Sequence, residues 1–304
     1  MSGTRHTSGV ERAIRALFDD AGVRGWLHVA DLRRPSDQVT IDPGERLPIA
    51  SVYKVPLMAA FCRLADAGLL DPRRPVTLEP DERVPGATGV SVLRDPVTMS
   101  LRDLVVLMMT ISDNAAADAV LRAVGPDVVD AMCRELGMPD TRVHGGAAGT
   151  FSRLVAETGA ASLDAALARV ADNDSVAPPG VYDPAFTASG TPADIAVLLR
   201  AIWTDEAASA ARCAFMRDVM RRQPWTHRLA SGFPYDDITV YGKTGTFGSL
   251  RHEAGVVEFP DGTAYTAVVF TQAARSDTKL PRADAVIGTA ARLAVEALRA
   301  TRTT

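Results

Sequence analysis

Ser51-Val52-Tyr53-Lys54 opens an apolar run that continues through Val55, Leu57, Met58, Phe61 and Leu64. That spacing predicts an amphipathic helix of about five turns. Ser51 falls at or near its N-cap, with Lys54 one turn on. Residues three apart share a helix face, so hydroxyl and amine can meet. A serine hydroxyl is a weak nucleophile until a base takes its proton, and a lysine can do this once burial or neighbouring cations lower its pKa. The helix start adds backbone N–H groups and a positive dipole end where an oxyanion would form. The same four residues also describe an ordinary capped helix. Composition favours chemistry: of 33 basic residues only Lys54, Lys243 and Lys279 are lysines, and arginine cannot act as a base.

The chain has 304 residues, 47% hydrophobic and 23% charged, enough for one large domain or two lobes. A net charge of −4 and a pI near 5.8 give no reason to expect nucleic acid or an anionic membrane as partner. No apolar run reaches the roughly 18 residues of a membrane span. Met1 to Gly25 is polar and lacks the layout of a secretory signal, which predicts a cytoplasmic protein. Cys62, Cys133 and Cys213 are widely spaced and form no ligand cluster with histidine. They read as buried free thiols, with neither zinc nor a disulfide framework; no metal or cofactor is expected.

In chain order, Gly9 to Ala21 reads as a helix, and Trp26–Ala30 and Gln38–Ile41 as two strands. Asp71 to Asp95 is a Pro- and Asp-rich connection whose Pro85-Gly86-Ala87-Thr88-Gly89 suits a loop rimming a site. Helices are predicted from Met99 to Thr110, Ala115 to Val124 and Pro126 to Leu136. His144 to Gly149 reads as flexible, followed by helical patterns to Ala171 and an irregular stretch from Asp172 to Gly190. Thr191-Pro192 opens a helix through Trp203, and Ala207 to Met220 adds another. A strand from Ile238 to Gly242 then runs into Lys243-Thr244-Gly245-Thr246. Ala254–Phe259 and Thr263–Thr271 form a hairpin, and Arg282 to Arg302 is a closing helix. The fold class is α+β, an α/β sandwich: one antiparallel sheet flanked by both terminal helices, with an inserted all-helical lobe. The expected limits are residues 1–48 and 225–304 for the α/β lobe and 49–224 for the helical lobe.

Three motifs now stand in one order: Ser51-x-x-Lys54 at a helix start, Ser112-Asp113-Asn114 between helices, and Lys243-Thr244-Gly245 on a late strand. Each has a structural alternative by itself, a cap, a capped turn or a solvent-facing turn. Together they form the set of the penicillin-recognising serine enzymes. The chain resembles that family, the class A β-lactamases with related DD-peptidases and esterases, from Trp26 to the terminal helix.

The resemblance implies a β-lactamase/transpeptidase-like fold and a role for each matching position. Ser51 would be the acylated nucleophile and Lys54 its base or proton relay. Ser112 would pass the proton to the leaving group, and Asn114 would bind the substrate's side-chain amide. Lys243 and Thr244 would hold its carboxylate, and the backbone N–H groups of Ser51 and Thr246 would form the oxyanion hole. Arg251, opening the following strand, is a further candidate carboxylate contact. Two cations in one cleft lower each other's pKa and attract an anionic acyl substrate.

One family element is missing. The Glu-x-x-Leu-Asn string, whose glutamate activates the water that releases the acyl group, does not occur in this sequence. Glu157, Asp164, Asp172, Asp174 and Asp183 lie in the corresponding region without that context. Fold and acylation are therefore expected more firmly than fast β-lactam hydrolysis. The leading expectation is a serine acyl hydrolase acting on a β-lactam, ester or related acyl compound. The alternatives are a biosynthetic esterase or acyltransferase, and a β-lactam-acylated sensor that turns over little.

Overall fold

Strand after strand at the centre of this protein is buried on both faces, which requires a layer of helices on each side of the sheet. The computed structural model describes residues 3–172 and 180–302. Helix α1 (Gly3–Ala21) leads into β1 (Val23–Asp31), β2 (Gln38–Ile41) and the short β3 (Leu47–Pro48). A 3-10 turn (Ala50–Tyr53) runs into α2 (Lys54–Asp66). Strands β4 (Pro75–Leu78) and β5 (Val97–Ser100) precede α3 (Leu101–Thr110), α4 (Asn114–Val124) and α5 (Pro126–Glu135). Next come α6 (Gly146–Thr158), α7 (Leu163–Ala171), β6 (Ser189–Gly190), α8 (Pro192–Trp203) and α9 (Ala210–Arg221). Strands β7 (Thr239–Phe247), β8 (Leu250–Glu258) and β9 (Ala264–Ala273) and helix α10 (Pro281–Arg302) complete the chain.

The main sheet has five strands in the order β2-β1-β9-β8-β7, all paired antiparallel. Its register sorts the side chains by the strand period of two. Leu27, Val29, Val257, Ala267 and Val269 face α1 and α10, meeting Ile14, Phe18, Ile287 and Val295. Trp26, Ala254, Val256, Val268 and Phe270 face the helices inserted between β2 and β7. Each fully buried aliphatic or aromatic side chain contributes about 1.5–3 kcal/mol, so both interfaces are strong and the sheet is a rigid platform between them.

The element types follow the sequence closely. Ser100, Thr191 and Asp113 are N-caps, accepting from the backbone N–H groups of Asp103, Asp194 and Ala116. The three cysteines are free and buried. Among the described residues no helix is long and apolar enough to cross a membrane.

Four readings change. The α2 run is not amphipathic at its start: every residue from Lys54 to Cys62 is buried. The helix threads the middle of its lobe, where an apolar surround is available on all sides. The 71–95 connection holds a strand, since β4 pairs with β5. Gly146 to Gly149 is helical, not flexible. The Asp118 carboxylate accepts from Ala147 N at 2.9 Å and Ala148 N at 2.8 Å, which pins the start of α6. Finally, the strand read from Ile238 to Gly242 continues as β7 through Lys243 to Thr246 and ends at Phe247. The expected irregularity from Asp172 to Gly190 falls partly on residues 173–179, outside the described residues.

Candidate active site

Ser51 sits on the 3-10 turn before α2, not at an α-helical N-cap. The preceding Ala50 has φ 45°, a left-handed conformation costly for a residue with a Cβ. This sharp turn is braced from below. Ile49 N donates to Ala188 O at 3.0 Å and Val52 N to Ile49 O at 3.0 Å. His252 on β8 accepts from Thr271 N through Nδ1 at 3.1 Å, so its Nε2–H donates to Pro48 O at 3.0 Å. Burial holds the His252 pKa down to about 4, keeping the ring neutral in that tautomer. Gly245 lets β7 approach the turn: a Cβ there would lie 2.8 Å from Ile49 O and 3.0 Å from Val52 Cγ2. That close approach brings the Thr246 backbone beside Ser51.

Lys54 is fully buried. Its Nζ donates to Ser112 O at 2.7 Å, Asn114 Oδ1 at 3.0 Å and Ser112 Oγ at 3.2 Å. The spacing of three residues predicts a contact between this amine and Ser51. Among the described residues no hydrogen bond joins them, because the Ser-Asp-Asn turn offers the ammonium an acceptor for each of its three protons. Burial pulls the Lys54 pKa down to about 7, against the opposing field of Asp113 and Asp118.

The Ser112-Asp113-Asn114 turn is held open toward Lys54. Ser112 has φ 59°, another left-handed non-glycine residue. The Asp113 carboxylate accepts from Val90 N at 2.6 Å and Ser91 Oγ at 3.0 Å, tying the turn to the 85–92 loop. Asn114 Nδ2 donates to Pro85 O at 3.2 Å. Lys243, also fully buried, donates to Ser112 Oγ at 3.0 Å and to Thr244 O at 2.8 Å. Burial, reinforced by the charge of Lys54, pushes the Lys243 pKa well down. Ser112 Oγ therefore lies between two buried amines.

A cleft of about 320 Å³ opens in front of these groups. Ser51, Ser112, Asn114, Thr244 and Thr246 line it, with Ala87 and Thr88 of the rim loop and Trp225, His227 and Arg228 opposite. Thr244 is fixed through its backbone: its N–H donates to Gln223 Oε1 at 2.7 Å, and Gln223 Nε2 donates to the buried Glu253 at 2.7 Å.

Arg228 was not singled out from sequence. It is 3% exposed, with Nε on Asp284 at 2.7 Å, Nη1 on the carbonyls of Gly245 and His252, and Nη2 on Thr246 Oγ1 at 2.8 Å. Those bonds use four of its five N–H groups, and the residue lines the cleft. Among 30 arginines in the chain (33 basic residues less three lysines) no pattern marked this one.

Arg251, by contrast, does not line this cleft. Cross-strand pairing sets it opposite Thr246, on the α10 side of the sheet. Its guanidinium donates to the carbonyls of Gly248, Leu250 and Asp277, with Asp284 at 3.7 Å. The strand position suggested a substrate contact; the side chain instead fastens the β7–β8 turn to the 277 loop.

Behind Ser51 lies a second hollow of about 90 Å³, which shares Ser51, Asn114 and Thr246 with the cleft. Among the described residues no carboxylate lines either space. Glu157 accepts from Gly180 N at 2.7 Å and pairs with Arg153. Asp183 accepts from Ala185 N at 2.8 Å. Asp164 and Asp172 are exposed at the two ends of α7. Asp174 is outside the described residues.

Residues 9–298 match the β-lactamase enzyme family, and the chain belongs to it. It is 31% identical to the β-lactamase regulatory protein BlaB of Streptomyces cacaoi, over 95% of this chain and 97% of that protein. Among solved structures, a β-lactamase from Sphaerobacter thermophilus superposes with a TM-score of 0.77 at 26% identity, covering 96% of this chain and 98% of that one. An ancestral class A β-lactamase, GNCA, gives 0.76 at 26% identity over 95% and 99%. The fold is thus that of the β-lactamases and penicillin-binding proteins. The relationship supports serine-hydrolase-type, acyl-enzyme chemistry on a small acyl substrate.

Proposed function

We propose that this protein forms an acyl-enzyme on Ser51 with β-lactams or esters that carry a carboxylate. The Ser51 oxygen attacks the acyl carbon while its proton passes to Lys54. The bond to the leaving nitrogen or oxygen breaks, and Ser112 supplies that atom with a proton, recovered from Lys54. The Ser51 and Thr246 N–H groups stabilise the oxyanion, Asn114 holds the acyl amide, and Lys243, Thr244 and Arg228 hold the carboxylate. The observation that carries this reading is Ser112 Oγ, 3.2 Å from Lys54 Nζ and 3.0 Å from Lys243 Nζ on the cleft that Ser51 lines. Intact-mass spectrometry after exposure to a penicillin, a cephalosporin and an activated ester tests it. The acyl mass should map to Ser51 and vanish in Ser51→Ala. No gain with any of the three, or a gain that survives the substitution, overturns it.

A specific observation also favours a role as an acylated sensor or regulator over that of a fast hydrolase: among the described residues no carboxylate lines the spaces at Ser51. The name of the Streptomyces cacaoi relative is in keeping with that role. Comparing the acylation rate with steady-state turnover separates the two.

A further inference from the structure

The two spaces at Ser51 differ in chemistry. The front cleft presents hydroxyls, an amide, His227 and Arg228. The rear hollow is walled mainly by Ala147 and Phe151 of α6, Val181, Phe247 of β7 and Leu250, with the hydroxyl-bearing Tyr53, Thr150 and Thr187 among them. Val181 and Leu250 are 2% and 3% exposed. Phe247 packs edge-on against Tyr182 at 5.8 Å and joins the apolar cluster of Leu154, Ala166 and Val170 that underlies α6 and α7. The wall is therefore backed by a packed core rather than a mobile surface.

Asp118 is the carboxylate that approaches from below, and it is already engaged. Both its oxygens accept from the first turn of α6, at Ala147 N and Ala148 N. Gly146 makes this packing possible, since a Cβ there would lie 2.3 Å from Asp118 Oδ1. With the carboxylate held under the helix start, α6 presents Ala147, Thr150 and Phe151 to the hollow and no charge.

We infer that the rear hollow is a subsite for a short, unbranched apolar acyl chain, which it holds when that chain's carbonyl carbon is bonded to Ser51. This rests on the acylation reading above and adds the substrate class. Covalent continuity names the occupant. The leaving group departs through the polar cleft, so the acyl substituent on the other side of the carbonyl meets the hollow that shares Ser51, Asn114 and Thr246. A volume of about 90 Å³ holds roughly three groups of water or methylene size. Chains of about four or five carbons fill it.

The test uses the full chain with 4-nitrophenyl esters from acetate to octanoate, each releasing 4-nitrophenolate as Ser51 is acylated. Burial of each methylene should raise kcat/KM by roughly fourfold, levelling off beyond butyrate or pentanoate. Phe151→Trp should move the plateau to shorter chains and Phe151→Ala to longer ones. A flat length profile, or one that neither Phe151 substitution moves, overturns the subsite. The matching 4-nitroanilides, titrated into Ser51→Ala by calorimetry, separate this from the nucleophile assignment. Affinity that rises with chain length supports the subsite even if wild-type Ser51 is never acylated. Affinity independent of length overturns it even if Ser51 is.

Discussion

Ser112 Oγ lies 3.0 Å from Lys243 Nζ, a contact closed across 131 residues of chain. With Lys54 on its other side at 3.2 Å, this oxygen accepts from two amines, and its own hydrogen is left to point toward the cleft. A hydroxyl in that state suits proton donation to a departing atom. Proton transfer by a placed group contributes about 10²–10⁴-fold. Ser112→Ala should therefore slow acylation by a β-lactam, whose nitrogen must be protonated, by that order. Acylation by a 4-nitrophenyl ester, whose leaving group needs no proton, should fall by less than about tenfold. Equal losses in pre-steady-state rates on the two substrates would show that Ser112 only positions the lysines.

Lys54 should set the pH dependence of acylation. Its pKa of about 7 means that the neutral amine gains population as pH rises through that value. Acylation kcat/KM should climb to a plateau above about pH 8, and Lys54→Arg should be slow and lack that limb, since arginine keeps its proton. Stability carries the same signature. The folded pKa lies below the unfolded value of 10.5, so between pH 7 and 10.5 the unfolded chain binds more protons. The contribution of Lys54 to stability is most unfavourable below pH 7 and improves as pH rises. The stability of wild type relative to Lys54→Met should increase by up to about 1.4 kcal/mol per pH unit across that window. A pH-independent difference in denaturant titrations would rule out the lowered pKa.

Arg228 and Arg251 should separate by what they change. Arg228 lines the cleft and uses four of its five N–H groups on protein acceptors. Arg228→Ala should lower kcat/KM for a carboxylated substrate relative to a neutral ester of similar size by roughly 10–100-fold, the worth of a charged hydrogen bond. Arg251 serves three carbonyls, and Arg251→Ala strands buried acceptors at a cost of about 2 kcal/mol. Melting temperature should drop while KM stays within twofold. An unchanged carboxylate preference in Arg228→Ala would remove that residue from the substrate's anchor.

Sequence carried the fold because its decisive patterns are local. The caps at Ser100 and Thr191, the short apolar and β-branched runs in β1, β8 and β9 and the terminal helix are each readable within one element. The three lysine and serine motifs were also visible, and the structure gathers Lys54, Ser112, Asn114 and Lys243 by hydrogen bonds. What escaped was long-range. Arg228 reaches Thr246 only through the packing of the loop after α9 on β7. His252 looked like any residue of a buried strand, yet it supports the carbonyl three residues before Ser51. Gly145 and Gly146 signalled a loop because glycine usually does. Here Gly146 makes room for the Asp118 carboxylate that starts α6, a partner 28 residues earlier that no local pattern announces.

If Ser51 is acylated as proposed, the lifetime of the adduct depends on that same corner. Acylation and deacylation are separate steps served by different groups. In the proposed mechanism Ser51, Lys54 and the backbone donors serve the first. The second needs a base on a water behind the ester, where the described wall is Ala147, Thr150 and Phe151. A penicillin should give a burst of one equivalent, then an adduct that outlasts acylation by orders of magnitude. Placing a carboxylate there should restore release: Thr150→Glu should speed deacylation by about 10²–10⁴-fold, the usual worth of general-base help. Stopped-flow acylation followed by timed mass spectra measures both rates. Many rapid turnovers by wild type, with no adduct accumulating, would mean that a base already reaches the ester. Asp118 would be the first to replace, because it is the buried carboxylate whose field reaches both Lys54 and Tyr53. If Asp118→Asn then trapped the adduct while Glu157→Gln did not, the carboxylate beneath α6 would be the deacylating group.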